Sequence, residues 1–174
     1  MIVRNKIWEE LRQAKANIIC IQRYTDRNRK WSRYFGALII ILASAGTIGG
    51  LFKQWVAVAA SALVAISTIL KSLMPNFIQS EQELTELDRL MDYYSRYFIK
   101  VEKIWYELYE SNITEKEAID QMFEIKNDEA DKLSTMNKLV RHLSKEEKDK
   151  INDEALDYVE RVYFNYNENN NENE

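Results

Sequence analysis

AGTIGGLFKQWVA, residues 45–57, sits between two uncharged runs, and how it is read decides the fold. Nineteen residues from Tyr34 to Phe52 pass without a charge, and seventeen more follow from Gln54 to Leu70. Spanning bilayer hydrocarbon takes roughly 20 apolar residues, and roughly 18 uncharged ones make a candidate. A single crossing would bury Lys53 at a cost of about 3 kcal/mol, whereas a turn there leaves it in water. Gly49 and Gly50 supply a flexible backbone for that turn, and Trp55 suits headgroup depth. The expectation is two membrane helices, near 34–51 and 54–72, with Pro75 disrupting the pattern after the second. The competing reading is a buried helical hairpin inside a bundle, which normally shows a polar stripe that these runs lack.

Outward from this stretch the charge is partitioned. Residues 1–33 carry nine Lys/Arg against three Asp/Glu, while residues 79–174 carry thirteen against twenty-five. Arg23, Arg27, Arg29, Lys30 and Arg33 crowd the approach to the first run, so the positive-inside rule places both termini in the cytoplasm. The expected localisation is the cell (inner) membrane. One cysteine, Cys20, excludes an intrachain disulfide, and one Pro with four Gly argues against a turn-rich β chain.

The fold class expected is an all-α membrane protein in four segments. A cytoplasmic amphipathic helix over 1–33 continues into a two-transmembrane hairpin over 34–72. A cytoplasmic helical region follows over 80–164, and then a disordered Asn/Glu tail over 165–174. Ser80 with Glu83, Thr114 with Glu117 and Ser144 with Glu147 each form Ser/Thr-x-x-Glu, the signature of a reciprocal helix cap. These predict helices near 81–111, 115–140 and 145–164. In the first of them Leu84, Leu87, Met91, Tyr94, Phe98, Val101, Trp105 and Leu108 recur three and four apart, a heptad seam. Such a seam packs either on another subunit, as in a coiled coil, or on the chain's own helices.

Enzyme constellations are absent from the sequence. His142 is the only histidine, no phosphate-cradling Gly-rich loop occurs, and the uncharged runs hold no ionisable pair for intramembrane chemistry. The expectation is a non-enzymatic protein with no catalytic residues, metal or cofactor. Small residues on the second run (Ala57, Ser61, Ala65, Thr68) and Gly46 with Gly50 on the first would let membrane helices approach closely. Ser44, Thr47, Ser61 and Thr68 are the pore-lining or helix-packing candidates. The alternative for such hydroxyls is a bond back to their own helix carbonyls.

The layout of IWEELRQAKANI, then RYTDRNRKWSRYFGALIIILASAGTIGG, then a second uncharged run and a helical region resembles the SLATT two-transmembrane effectors of bacterial anti-phage and conflict systems. The resemblance covers about residues 5–110. It implies an antiviral defence role: a homo-oligomeric, pore-forming ion channel that depolarises the membrane and causes abortive infection. The heptad seam and the small-residue faces set the expected assembly at about four subunits. The partners it implies are the lipid bilayer, further copies of the chain, and a nucleotide or oligonucleotide signal from a separately encoded enzyme. The alternative function is a membrane-anchored helical scaffold that recruits a partner protein. Arg89, Tyr93, Arg96, Tyr97 and Lys100 share one helix face beside the seam and are the candidates for binding such a signal. Basic groups neutralise phosphates, and aromatic rings stack on bases. The competing reading has the tyrosines packed on the next helix and the basic groups paired with Glu86, Asp92 or Glu102.

Overall fold

The computed structural model describes residues 2–49, 54–77, 79–127, 129–141 and 143–163, with backbone alone at 42–43, 45–49, 54–57, 60 and 74–77. Among the described residues the chain forms six helices and no strand. They are α1 (Ile2–Gly49), α2 (Gln54–Phe77), α3 (Glu81–Tyr109), α4 (Glu115–Lys126), α5 (Glu129–Leu139) and α6 (Lys145–Tyr163).

The membrane reading is corrected. No helix among the described residues is long and apolar enough to cross a membrane. The two-transmembrane hairpin, the pore-forming channel built on it and the inner-membrane localisation fall together. The physical reason is that a run without charge is a weaker condition than an apolar one. Five alanines, three serines and Thr68 occupy much of α2, and small or hydroxylated side chains gain little on transfer to hydrocarbon. The first run is the end of a 48-residue helix whose earlier part is densely charged. The turn expected at Gly50 and Lys53 lies outside the described residues, as does the 165–174 tail. Pro75 does not stop α2, which runs on to Phe77. A proline in the last turn removes one backbone donor without breaking the turns before it.

The three caps form as spelled. The Ser80 amide donates to Glu83 Oε2 at 3.0 Å, and the Glu83 amide donates back to Ser80 Oγ at 3.2 Å. Thr114 and Glu117 repeat the exchange at 2.8 and 3.3 Å, and Ser144 and Glu147 at 2.9 and 3.1 Å. The helix expected over 115–140 is instead two, α4 and α5, separated around Asn127. Ahead of α4 the chain turns sharply: the Asn112 amide donates to the Glu107 carbonyl at 2.8 Å and the Ser111 amide to Leu108 at 3.3 Å. Ser111 takes φ 60 to allow it, the left-handed helix stop that usually falls to glycine.

The chain divides into two compact units, Met1–Tyr24 with Thr85–Glu174, and Thr25–Leu84. In the first, Val3, Ile7, Leu11 and Ala14 of α1 pack with Phe98, Val101, Ile104 and Leu108 of α3, Ala118 and Met122 of α4, and Val159 and Tyr163 of α6. Trp8 meets Trp105 at 5.5 Å and Tyr163 at 6.1 Å between ring centroids. The seam is spent here. Leu87, Tyr94, Phe98, Val101 and Leu108 are buried, with Met91 and Trp105 partly so; Leu84, also buried, belongs to the second unit. Each full burial contributes roughly 2 kcal/mol. In the second unit the balance is opposite. Tyr34, Ile40, Ile41, Val58, Ile66 and Ile69 are exposed, whereas Thr25, Asn28 and Ser67 are buried.

Candidate functional site

The turn at Ser111 and the Thr114 cap bring α4 beside α3, and a groove of about 900 Å³ runs between them. Tyr93, Arg96, Tyr97, Lys100, Lys103, Ile104 and Glu107 of α3 line it, with Gln121, Glu124 and Ile125 of α4. Four of the five ligand candidates named from the sequence therefore share one wall. Arg89 is the exception: it is exposed away from the groove and pairs with Glu86 at 3.3 Å.

The members of that wall do different things. Arg96 and Lys100, four residues apart on α3, are both exposed and make no ion pair among the described residues. Lys103 pairs with Glu107 at 3.6 Å, so its charge is partly offset. Three basic and two acidic groups leave the groove one positive charge in excess. Tyr97 is a wall rather than a contact: it is buried, and its hydroxyl donates to Glu10 Oε2 at 3.1 Å. Burial first, then the Glu10 and Glu129 carboxylates, raise that hydroxyl well above its ordinary range, so it stays a donor. Tyr93 stacks on Tyr97 at 6.2 Å and 26°, with Lys132 Nζ 5.8 Å from the Tyr93 ring centroid.

Behind this wall lies a charged cluster that the sequence did not advertise. Lys126 of α4 bonds Glu10 of α1 and sits 3.8 Å from Glu129 of α5. Burial holds the Glu129 carboxyl above its usual range, more than Lys126 lowers it. The four groups, Tyr97 included, tie α1, α3, α4 and α5 together at the back of the groove. Helical periodicity could not reveal them, because their partners lie 87 and 116 positions apart along the chain.

The hydroxyl candidates are placed elsewhere. Ser44 Oγ donates to the Ile40 carbonyl at 2.8 Å and Thr68 Oγ1 to Val64 at 2.9 Å. Ser61 is exposed, and the Thr47 side chain lies outside the described residues. No helix that carries them is long and apolar enough, among the described residues, to cross a membrane. Among the described residues no group of three or more His, Cys, Asp or Glu side chains is placed to hold a metal ion; His142 lies outside them. No family model matches the chain, and no curated protein or solved structure matches it.

Proposed function

We propose that this chain is a non-catalytic helical recognition module that takes an anionic ligand of the nucleotide class in the α3–α4 groove. The observation that carries the reading is the pair Arg96 and Lys100, unpaired among the described residues on the wall of an open groove. A cation already neutralised by a neighbour gains little from a phosphate; an unpaired one gains a charge-assisted hydrogen bond. The partly exposed Tyr93 offers a ring edge beside the two cations, and Gln121 offers a neutral donor and acceptor opposite. Glu124 on the facing wall works against a highly charged polyanion, so a small ligand with one or two phosphates fits better than a long strand. Within the resemblance noted above, the role proposed is reception of a signal, without a conducting pore.

The test is fluorescence anisotropy with a labelled mononucleotide and a labelled short oligonucleotide, across a salt series. The double variant Arg96→Glu, Lys100→Glu should weaken binding at least tenfold and flatten its salt dependence, with helix content unchanged because both side chains are exposed. Equal affinity for variant and parent overturns the reading.

A second reading has its own observation. The exposed apolar side chains of the Thr25–Leu84 unit, among them Ile40, Ile41, Ile66 and Ile69, are the kind of surface that partners cover. It favours a homo-oligomeric helical scaffold, in which copies of the chain meet through that unit rather than through the α3 seam.

A further inference from the structure

α6 ends against the basic side of α3, and the sequence that follows it is acidic. Tyr163, the last residue of α6, donates its hydroxyl to Glu102 Oε1 at 2.6 Å and meets Tyr106 at 5.9 Å between ring centroids. Tyr106, Lys103, Lys100 and Arg96 stand three, three and four residues apart on α3, so they form one ridge along it. All four are exposed. The ridge is about 15 Å long at the helical rise. The end of α6 sits at its head, and its three basic members line the α3–α4 groove.

Residues 164–174 lie outside the described residues, but their sequence fixes their charge and their reach. They carry Glu168, Glu172 and Glu174 and no Lys or Arg. No apolar side chain follows Tyr166, so carboxylates and carboxamides are what this segment has to offer a partner. α6 runs beside α3 in the same direction, since Tyr158 meets Phe98 and Tyr163 meets Tyr106. A segment that meets the ridge has therefore to reverse, and Asn165 and Asn167 are residues that tolerate a turn. From Glu168 to Glu174 the chain spans up to about 20 Å when extended. That covers the roughly 10 Å of helix axis between Lys103 and Arg96.

We propose that residues 164–174 fold back over α3 and set their carboxylates against Lys100 and Arg96, as a strap across the α3–α4 groove. The occupant is this segment of the same chain because α6 delivers it to the head of the ridge. A tether this short holds it at an effective concentration on the order of 1 mM, well above that of any free acidic peptide. Glu107 and Glu124 also line the groove and oppose further carboxylates, and Lys103 already pairs with Glu107 at 3.6 Å. The strap is therefore weak and displaceable. A phosphate, with denser charge than a carboxylate, takes the same two cations and releases it. This competition rests on the anionic-ligand reading given above; the docking itself does not.

The test uses the full chain and two readouts. A water-soluble carbodiimide condenses a carboxylate with a lysine amine that touches it. Products of monomer mass should join Glu168, Glu172 or Glu174 to Lys100 or Lys103, as read by mass spectrometry of the digest. About 1 M salt, which shortens the screening length to about 3 Å, should abolish them. In the second readout, Glu168→Gln, Glu172→Gln and Glu174→Gln are combined in one chain. It should bind a labelled mononucleotide about fivefold more tightly than the parent at low salt, and the difference should close at high salt. Absence of the cross-links, their spread over the lysines of other helices, or their appearance only in a dimer each overturns the proposal. Equal affinity of parent and variant in the presence of the cross-links overturns the strap as well, by placing the segment on α3 but outside the groove. Equal affinity without cross-links removes the strap and leaves the ligand reading standing. Cross-links in a chain that binds no mononucleotide keep the strap and remove the ligand.

Discussion

Ser111 and Glu129 show how single positions carry opposing costs. Ser111 holds φ 60 so that the chain can leave α3 and start α4 within a few residues. An L-residue there carries a steric penalty of about 1 kcal/mol, which glycine escapes. Ser111→Gly should therefore raise the unfolding free energy measured by urea denaturation by about that amount, an unusual gain for a glycine substitution. Glu129 is held with its carboxyl above the ordinary range, chiefly by burial, with Lys126 opposing. The folded state then binds this proton more tightly than the unfolded chain, so the group's contribution to stability falls as pH rises through its folded value. Glu129→Gln should stabilise the fold at neutral pH by on the order of 1 kcal/mol. The gain should shrink towards zero as the pH is lowered to about 4, where the parent carboxyl is protonated in the folded state too. Urea denaturation of parent and variant across that range reads both limbs, and a gain that grows on acidification contradicts the assignment.

At the scale of elements, the capping signatures are the most legible feature of the sequence. Ser/Thr-x-x-Glu works through bonds spanning three residues, so the sequence holds both partners, and all three pairs form. Thr114→Ala removes one member of the box and should cost about 1 kcal/mol, measured by urea denaturation, with loss of helix concentrated in α4. The seam was legible as a stripe but not as to its partner, because periodicity names the face that is buried and never what buries it. Val101, fully enclosed with α1 and α6 residues in one core, distinguishes the two cases. Val101→Ala should destabilise the chain by about 2 kcal/mol, and the loss should be independent of protein concentration. A loss that vanishes on dilution would return the seam to a subunit interface. The division of 115–140 into α4 and α5 has no strong local marker, since neither Pro nor Gly stands at Asn127.

For the whole molecule, the surface of the Thr25–Leu84 unit sets the expectation for assembly. Replacing Ile40, Ile66 and Ile69 together with Ser should lower self-association measured by light scattering and leave the helix content intact, since all three are exposed. An unchanged mass for parent and variant would remove the scaffold reading. The sequence by itself determined that the chain is helical, where three of its helices begin, and which α3 face carries the basic and aromatic groups. These properties are local, set by bonds and spacings within one or two turns. Tertiary structure decided the rest. It turned the seam inward, separated Arg89 from Arg96 and Lys100, and gathered Glu10, Tyr97, Lys126 and Glu129 into one cluster. Each of these depends on which surfaces meet across long stretches of chain, and no count of charges or period along the sequence contains that information.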